Sequence, residues 1–436
     1  MIIELREDAF PEIYGRFVKL LGGKPWIKAT QDLQLQILEN PLTRPQIEQE
    51  NLEAIGLTFF DQYQMTRRFH PAWPRVQEAM NFAAQVCDMV ENALDVRGTR
   101  AYIGRVIGAF KNSRDMRAMR IEHLAAIQLS RQGASISWPD ESSGPETFDI
   151  LASGLTPTPI EVECKSNSRD KGRRITQSET MAFLYRILPL VLTQAVQGEA
   201  LLLRVVVPSR LPTRIEALDQ LASEIQSSLT SGDSSTPGGV ILEVQRGSPV
   251  FLTEMGDPDL KRTALLHYAL LEMGAPVGFR GGTCVGSAGV VIEVCSQRRN
   301  DLFRKLWDTA KKAIRNQMTG TRPGCLILKL EGWSREEFLR ASTSTTNVLG
   351  IFAEALFSDE KHEHLACVAF ASEEAMVSLN ALQGTSQSCL YVADRQVGRY
   401  ANLGIGQMLL GATERKKFSG QAAALDATTQ SPSSHS

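Results

Sequence analysis

The residues best suited to chemistry in this 436-residue chain gather between Asp149 and Lys165. In the run Ile160-Glu161-Val162-Glu163-Cys164-Lys165 a strand would point successive side chains to opposite faces. Glu161, Glu163 and Lys165 then share one side, and Ile160, Val162 and Cys164 the other. Asp149 heads the preceding apolar run, Phe148-Asp149-Ile150-Leu151, and a turn between two strands brings it beside Glu163, 14 residues on. Two carboxylates converging on one point beside an ammonium suit Mg²⁺, a hard ion that takes one or two carboxylates plus waters and substrate phosphate. Mn²⁺ is expected to substitute for it. Such a centre polarises a phosphoryl oxygen and acidifies a bound water, while Lys165 is placed to orient or deprotonate that water and to offset charge in the transition state.

The elements that must position these groups are readable in outline. Ser113 to Gly133 reads as a helix ended by a glycine suited to the left-handed cap. On it, Ala125, Ala126 and Leu129 follow Glu122 at helical spacing, so Glu122 lies on an inward-facing stripe. A carboxylate facing a core needs a partner, which makes Glu122 a candidate additional ligand. Then come three strand-like runs (ASISWP, FDILAS, IEVECKS), a helical segment from about Ser178, and the apolar run ALLLRVVVP. After Lys165, four basic residues (Arg169, Lys171, Arg173, Arg174) occupy six positions, a loop placed to hold a phosphate backbone.

In this order the residues resemble the PD-(D/E)xK nuclease superfamily, the restriction-endonuclease-like fold of many restriction, repair and defence nucleases. Its pattern is an acidic residue on the first helix, an Asp near the start of a central strand and a (D/E)-x-K tripeptide on the next. Glu122, Asp149 and Glu163-Cys164-Lys165 match it in order. The resemblance covers about residues 113 to 210. It implies Mg²⁺-dependent hydrolysis of DNA, less often RNA, with Asp149 and Glu163 as metal ligands and Lys165 catalytic. Gln177 would stand near the scissile phosphate, as in some relatives. The literal Pro-Asp dipeptide, Pro139-Asp140, falls in a polar loop, and Asp149 at a strand head is preferred to it. The role implied is that of a DNA endonuclease in restriction, defence or repair. An RNA or single-strand nuclease, or an inactive nucleic-acid- or partner-binding subunit of a larger complex, stays open as an alternative.

Other features narrow the field. The expected fold is α/β, with a restriction-endonuclease-like core (helix, three strands, helix, strand) over 113–230. A mostly helical N-terminal domain over 1–112 precedes it; an additional α/β region over 240–417 and a disordered tail over 418–436 follow. The glycine-rich run Gly278 to Gly289 precedes a strand and lacks a Lys-Ser/Thr ending, which suits a hairpin or loop better than a nucleotide-binding turn. Val291-Ile292-Glu293-Val294-Cys295 echoes the Glu163 strand but has Cys where Lys is needed. His362 and His364, in a charged stretch, are expected at the surface. Seven scattered cysteines without a C-x-x-C pair read as small buried residues in a reducing, cytoplasmic setting. A net charge of -2 gives no global attraction to a polyanion, so nucleic acid must be held by local basic clusters, and no apolar run is long enough for a membrane helix. A homo-oligomer or a partner subunit is compatible with the sequence.

Overall fold

Apolar residues recurring every three or four positions build, among the described residues ahead of the first strand, α1 (Phe10–Leu21), α2 (Trp26–Glu39), α3 (Leu52–Tyr63), α4 (Trp73–Asn92), α5 (Val96–Lys111) and α6 (Ser113–Arg131). A computed structural model of the chain describes residues 5–39, 47–48, 51–67, 70, 72–92, 94, 96–139, 147–168, 170–274, 276–344, 346–377, 384–410 and 423–425. Aromatic side chains join the helices: Phe17 stacks on Trp26 at 5.6 Å, and Phe110 meets Trp26 at 5.7 Å. Gly133 closes α6 at φ +96°, a conformation that costs a residue with a Cβ about 1–2 kcal/mol. Strands β1 (Ser135–Ser137), β2 (Ile150–Ser153) and β3 (Ile160–Asn167) follow.

Next in the chain come α7 (Gln177–Leu192), β4 (Ala200–Val207), α8 (Ile215–Ser231), β5 (Ile241–Gly247), α9 (Phe251–Glu254), α10 (Pro258–Met273), β6 (Phe279–Val285) and β7 (Ala288–Ser296). The last stretch carries α11 (Leu302–Asn316), β8 (Gly324–Leu330), α12 (Arg335–Thr343), α13 (Val348–Phe357), β9 (Leu365–Val377), β10 (Gly384–Asp394), α14 (Ile405–Leu410) and β11 (Ala423–Leu425). The architecture is therefore mixed α/β, with fourteen α-helices and two mixed sheets among the described residues. Internal contacts divide the chain into two units, and neither is continuous. The first comprises Met1–Gln31, Gln49–Arg169 and Arg304–Ser436, the second Asp32–Glu48 and Asp170–Phe303. The span 113–230, read above as one core, is shared between them. The tail from 418 lies outside the described residues except for β11.

The first unit holds a seven-stranded sheet in the order β1-β2-β3-β8-β9-β10-β11. β1, β2 and β3 run antiparallel, β8 is parallel to β3, and β9 is parallel to β8. The chain order helix, three strands, helix, strand is present as α6, β1, β2, β3, α7 and β4. However, β4 pairs with β5 and β7, and the strand that completes the sheet beside β3 is β8. A parallel neighbour needs a crossover connection, and here that connection contains residues 170–303 and ends in α11. Every residue of β8 is buried, which explains its unbroken apolar run GCLILKL. α6 packs over β1, β2 and β3. Across the sheet's other strands, Trp307, Phe352 and Phe370 form an edge-to-face chain with spacings of 5.5 and 5.6 Å.

The second unit holds a four-stranded sheet in the order β5-β4-β7-β6. Its faces are filled by two apolar clusters, one including Phe183, Ile187, Leu203 and Ile292, the other Leu202, Leu252, Leu265 and Val291. The glycine-rich run is the β6–β7 hairpin, turned by Gly286 at φ +62° and Ser287. A Cβ on Gly282 or Gly289 would stand 2.9 Å from Leu266 or 2.8 Å from Leu265, so these glycines let α10 lie close on the sheet. Six of the seven cysteines are buried and Cys284 is partly so; none is in a disulfide. No helix among the described residues is long and apolar enough to cross a membrane.

Gly56 of α3 faces α4 so closely that a Cβ there would stand 2.2 Å from the carbonyl oxygen of Arg75. Ala forms helices better than Gly, yet Gly56→Ala is expected to destabilise the first unit by about 1–3 kcal/mol through overpacking. Denaturant unfolding followed by tryptophan fluorescence checks this, and an unchanged or raised midpoint would contradict the close packing.

Candidate functional site

The β2–β3 register decides where Asp149 stands. Ile150 pairs with Val162, so the residue before Ile150 falls opposite Glu163, and the Oδ2 of Asp149 accepts the Cys164 backbone N–H at 2.7 Å. Asp149 is 8% exposed, Glu122 4% and Glu163 0%. Glu163 forms an ion pair with the partly exposed ammonium of Lys165, two residues along β3. Glu122 and Asp149 share the guanidinium of Arg105 on α5, at 3.3 and 3.4 Å. The fold thus brings Glu122, Asp149, Glu163 and Lys165 into one group and adds Arg105, which the sequence reading missed. Arg105 follows the buried Tyr102 by three residues and precedes the buried Ala109 by four, at the margin of the apolar stripe of α5. Only the unpartnered inward carboxylate of Glu122 hinted that such a cation must exist.

The carboxyls resist ionisation together. Burial, then the charge of Asp149, pushes Glu122 up to about 7. Burial and again Asp149 push Glu163 up to about 8, against the pull of Lys165. Burial also raises Asp149, with Lys165, the Cys164 N–H and Arg105 opposing it. Lys165 is itself held above its usual range, because Glu163 and Asp149 outweigh the effect of its burial. Beside Glu122, the buried His123 receives or donates a 3.0 Å hydrogen bond with Tyr102 through Nδ1, and burial lowers its pKa to about 4, leaving it neutral near pH 7.

Orphaned oxygens test whether this group suits a divalent cation. Oε2 of Glu122 and Oε2 of Glu163 are buried without a hydrogen-bond donor among the described residues, and Oε1 of Glu163 meets Lys165 of its own strand. Hard oxygen ligands in a setting short of positive charge fit Mg²⁺ or Mn²⁺. Among the described residues, no three His, Cys, Asp or Glu side chains are already gathered as a ligand cluster. Glu122 and Asp149 are drawn to Arg105 instead.

Two other glutamates show what a structural carboxylate looks like in this chain. Glu161 accepts the Thr319 backbone N–H at 2.8 Å and the Thr319 hydroxyl, with Arg322 at 3.5 Å. Glu293, in the strand that echoes the Glu163 motif, accepts from Val277 N–H at 2.7 Å, Gly278 N–H at 3.0 Å and the Arg280 guanidinium at 3.0 Å. Burial works against its charge, but these donors together with Arg204 hold Glu293 below the usual carboxylate range. Both glutamates are satisfied, whereas Glu163 keeps one oxygen without a donor.

The remaining candidates are distributed elsewhere. Lys171, Arg173, Arg174 and Gln177 belong to the second unit, and Asp140 and Arg169 lie outside the described residues. Arg173 donates to the Gly278 carbonyl at 3.5 Å and Arg174 to the Arg299 carbonyl at 3.3 Å, so the loop folds half-buried onto its own unit. Gly172, at φ +73°, is pressed against Asp301, whose N–H it receives at 2.7 Å. Gln177 is the first residue of α7, and its N–H donates to Asp170 at 2.7 Å. His362 and His364 are buried, contrary to the surface position expected of them. The 3-10 turn at Glu360–His362 tucks His362 against the Leu356 carbonyl at 3.1 Å, and His364 meets the Ile314 carbonyl at 3.1 Å. No family model, curated protein or solved structure matches this chain.

Because Glu122 and Glu163 bind protons more tightly folded than unfolded, their contribution to stability is present below the unfolded value of 4.5 and is lost as pH rises through about 7 and 8. In chelator, the melting temperature of the first unit is therefore expected to fall between about pH 4.5 and about pH 8, and Glu163→Gln to flatten that decline. A variant with the wild-type slope would show that Glu163 is not the titrating group.

Proposed function

We propose that the chain is a Mg²⁺-dependent nuclease acting on DNA, with a restriction-endonuclease-like core in its first unit. The observation that carries this reading is the contrast between Glu163, fully buried with Lys165 on one oxygen and no donor on the other, and the satisfied Glu161 and Glu293. Proteins seldom bury carboxylates without donors unless an ion or a reaction needs them. Connectivity supports it as well: α6, the antiparallel strands β1, β2 and β3, then α11 and the parallel strand β8 repeat the order helix, three strands, helix, strand. Residues 170–301 are inserted before α11.

Asp149 and Glu163, with Glu122 as an additional ligand, would hold the ion. When bound, it supplies Lewis-acid polarisation of the phosphoryl oxygen and acidifies water. The chain's own residues do the rest. Lys165 extends from the buried floor formed by Glu163 toward solvent, with 27% of its side chain exposed, and can donate to a non-bridging phosphoryl oxygen or orient the attacking water. The Cys164 N–H anchors one oxygen of Asp149, and the other faces Arg105. Lys171, Arg173 and Arg174 are the second unit's candidates for contact with a nucleic-acid backbone.

Incubation of the purified chain with plasmid, linear DNA and RNA, with Mg²⁺ or Mn²⁺ and with chelator, tests the assignment. Cleavage is expected with metal only, falling about a hundredfold or more in Lys165→Ala and in Asp149→Ala. Cleavage unaffected by both substitutions, or confined to RNA, would overturn the mechanism or the substrate respectively. Replacing Arg173 and Arg174 by Ala is expected to weaken DNA binding and to make its salt dependence shallower, by roughly one unit of slope for each phosphate the variant no longer neutralises. Filter binding across a salt series measures this, and an unaltered slope would remove the loop from the interface.

A further inference from the structure

Arg105 occupies an unusual place among the charges of the first unit. Its Nη2 lies 3.3 Å from each carboxylate oxygen of Glu122 and 3.4 Å from Oδ1 of Asp149, so one nitrogen straddles two carboxylates from different elements, α6 and the head of β2. These distances are long for hydrogen bonds yet close for charges in a buried setting. A guanidinium cannot draw oxygens to the ~2.0–2.1 Å that Mg²⁺ requires, and Oε2 of Glu122 has no aligned donor despite the contact. The gap between Glu122 and Asp149 is filled by the guanidinium. With 28% of its side chain exposed, Arg105 has a way out to water.

We propose that Arg105 is the counter-ion of the metal-free site: it holds the gap between Glu122 and Asp149 and must leave it when a divalent cation loads. This deepens the nuclease reading above and rests on it. It explains how three carboxylates stay together before an ion arrives, and why they are not yet gathered as ligands. It also means that metal binds only to the fraction of molecules in which Arg105 has swung aside, so the apparent affinity is reduced by that fraction. Arg105 is a positioning residue here, since it acts through the carboxylates.

Calorimetric titration of the full chain with Mn²⁺, in the absence of nucleic acid, reads this directly. Arg105→Gln removes the competing charge while keeping a polar side chain, and is expected to bind Mn²⁺ about tenfold more tightly than wild type. Arg105→Lys, which keeps the charge, is expected to stay near wild type, and Glu163→Gln to bind more weakly. If wild type binds Mn²⁺ and Arg105→Gln binds it equally or less well, the counter-ion role is overturned and the metal reading stands. If neither binds, both fall. Should Arg105→Gln fail to fold, a crystal structure of Mn²⁺-loaded wild type decides: Nη2 is expected more than about 4 Å from Glu122 and Asp149, beyond ion-pair range. A guanidinium still at its present distances beside a bound ion would refute the exchange.

Discussion

The 2.7 Å hydrogen bond from the Cys164 N–H to Asp149 ties the head of β2 to the middle of β3, and the rest of the candidate site is arranged around the buried charge it fixes in place. Withdrawing Asp149, Glu122 and Glu163 from water is unfavourable for each of them and more so for the three together, because every ionised carboxylate raises its neighbours' affinity for protons. Arg105 and Lys165 answer that cost from two sides, one from the helical layer and one from the strand itself. Neither satisfies all the oxygens. Such an arrangement is poor at stabilising a fold and well suited to receiving a small, strongly charged ligand.

Glu163 and Glu293 make the same point by comparison. Both lie at fully buried positions in strands of nearly the same local sequence, with Ile or Val before and Val or Cys after. Around Glu293, two backbone N–H groups and a guanidinium converge, and the carboxylate is held ionised as the hub of a salt-bridge network. Around Glu163, the cation in contact comes from its own strand. Strand sequence sets which way a carboxylate faces; what it meets there depends on elements far away in the chain.

That distinction marks how far the sequence could be read. The neighbourhood of Asp149 and Glu163 was legible because an antiparallel hairpin converts a fixed separation into a cross-strand pair, and the inward aim of Glu122 was legible from helical spacing. Arg105 was not, since its partners depend on how α5 lies against α6. Nor was the tie of Glu161 to Thr319, or the identity of β8 as the neighbour of β3, both of which join residues more than a hundred positions apart. β4 and β8 are both continuous apolar runs, and nothing local distinguishes the one that completes this sheet. His362 and His364 misled for a related reason. Their charged surroundings suggest solvent, while His362 turns back on the Leu356 carbonyl six residues earlier and His364 meets the Ile314 carbonyl, which only the fold brings near.

The insertion between β3 and α11 has a consequence for the order in which the chain is made. Arg105, Glu122, Asp149, Glu163 and Lys165 emerge from the ribosome within one short contiguous stretch, so every charge of the candidate site exists early. The strand that covers β3 comes much later: Lys165 pairs with Leu328, 163 residues further on. Until then β3 has an open edge, a hazard for unwanted pairing. Closing the sheet must wait for a contact of very long range, which is intrinsically slow. Glu161, Glu163 and Lys165, facing one way from that waiting strand, give it a charged side that other chains are slow to bury. The same residues that make the mature site costly to assemble thus guard the half-built sheet from its neighbours.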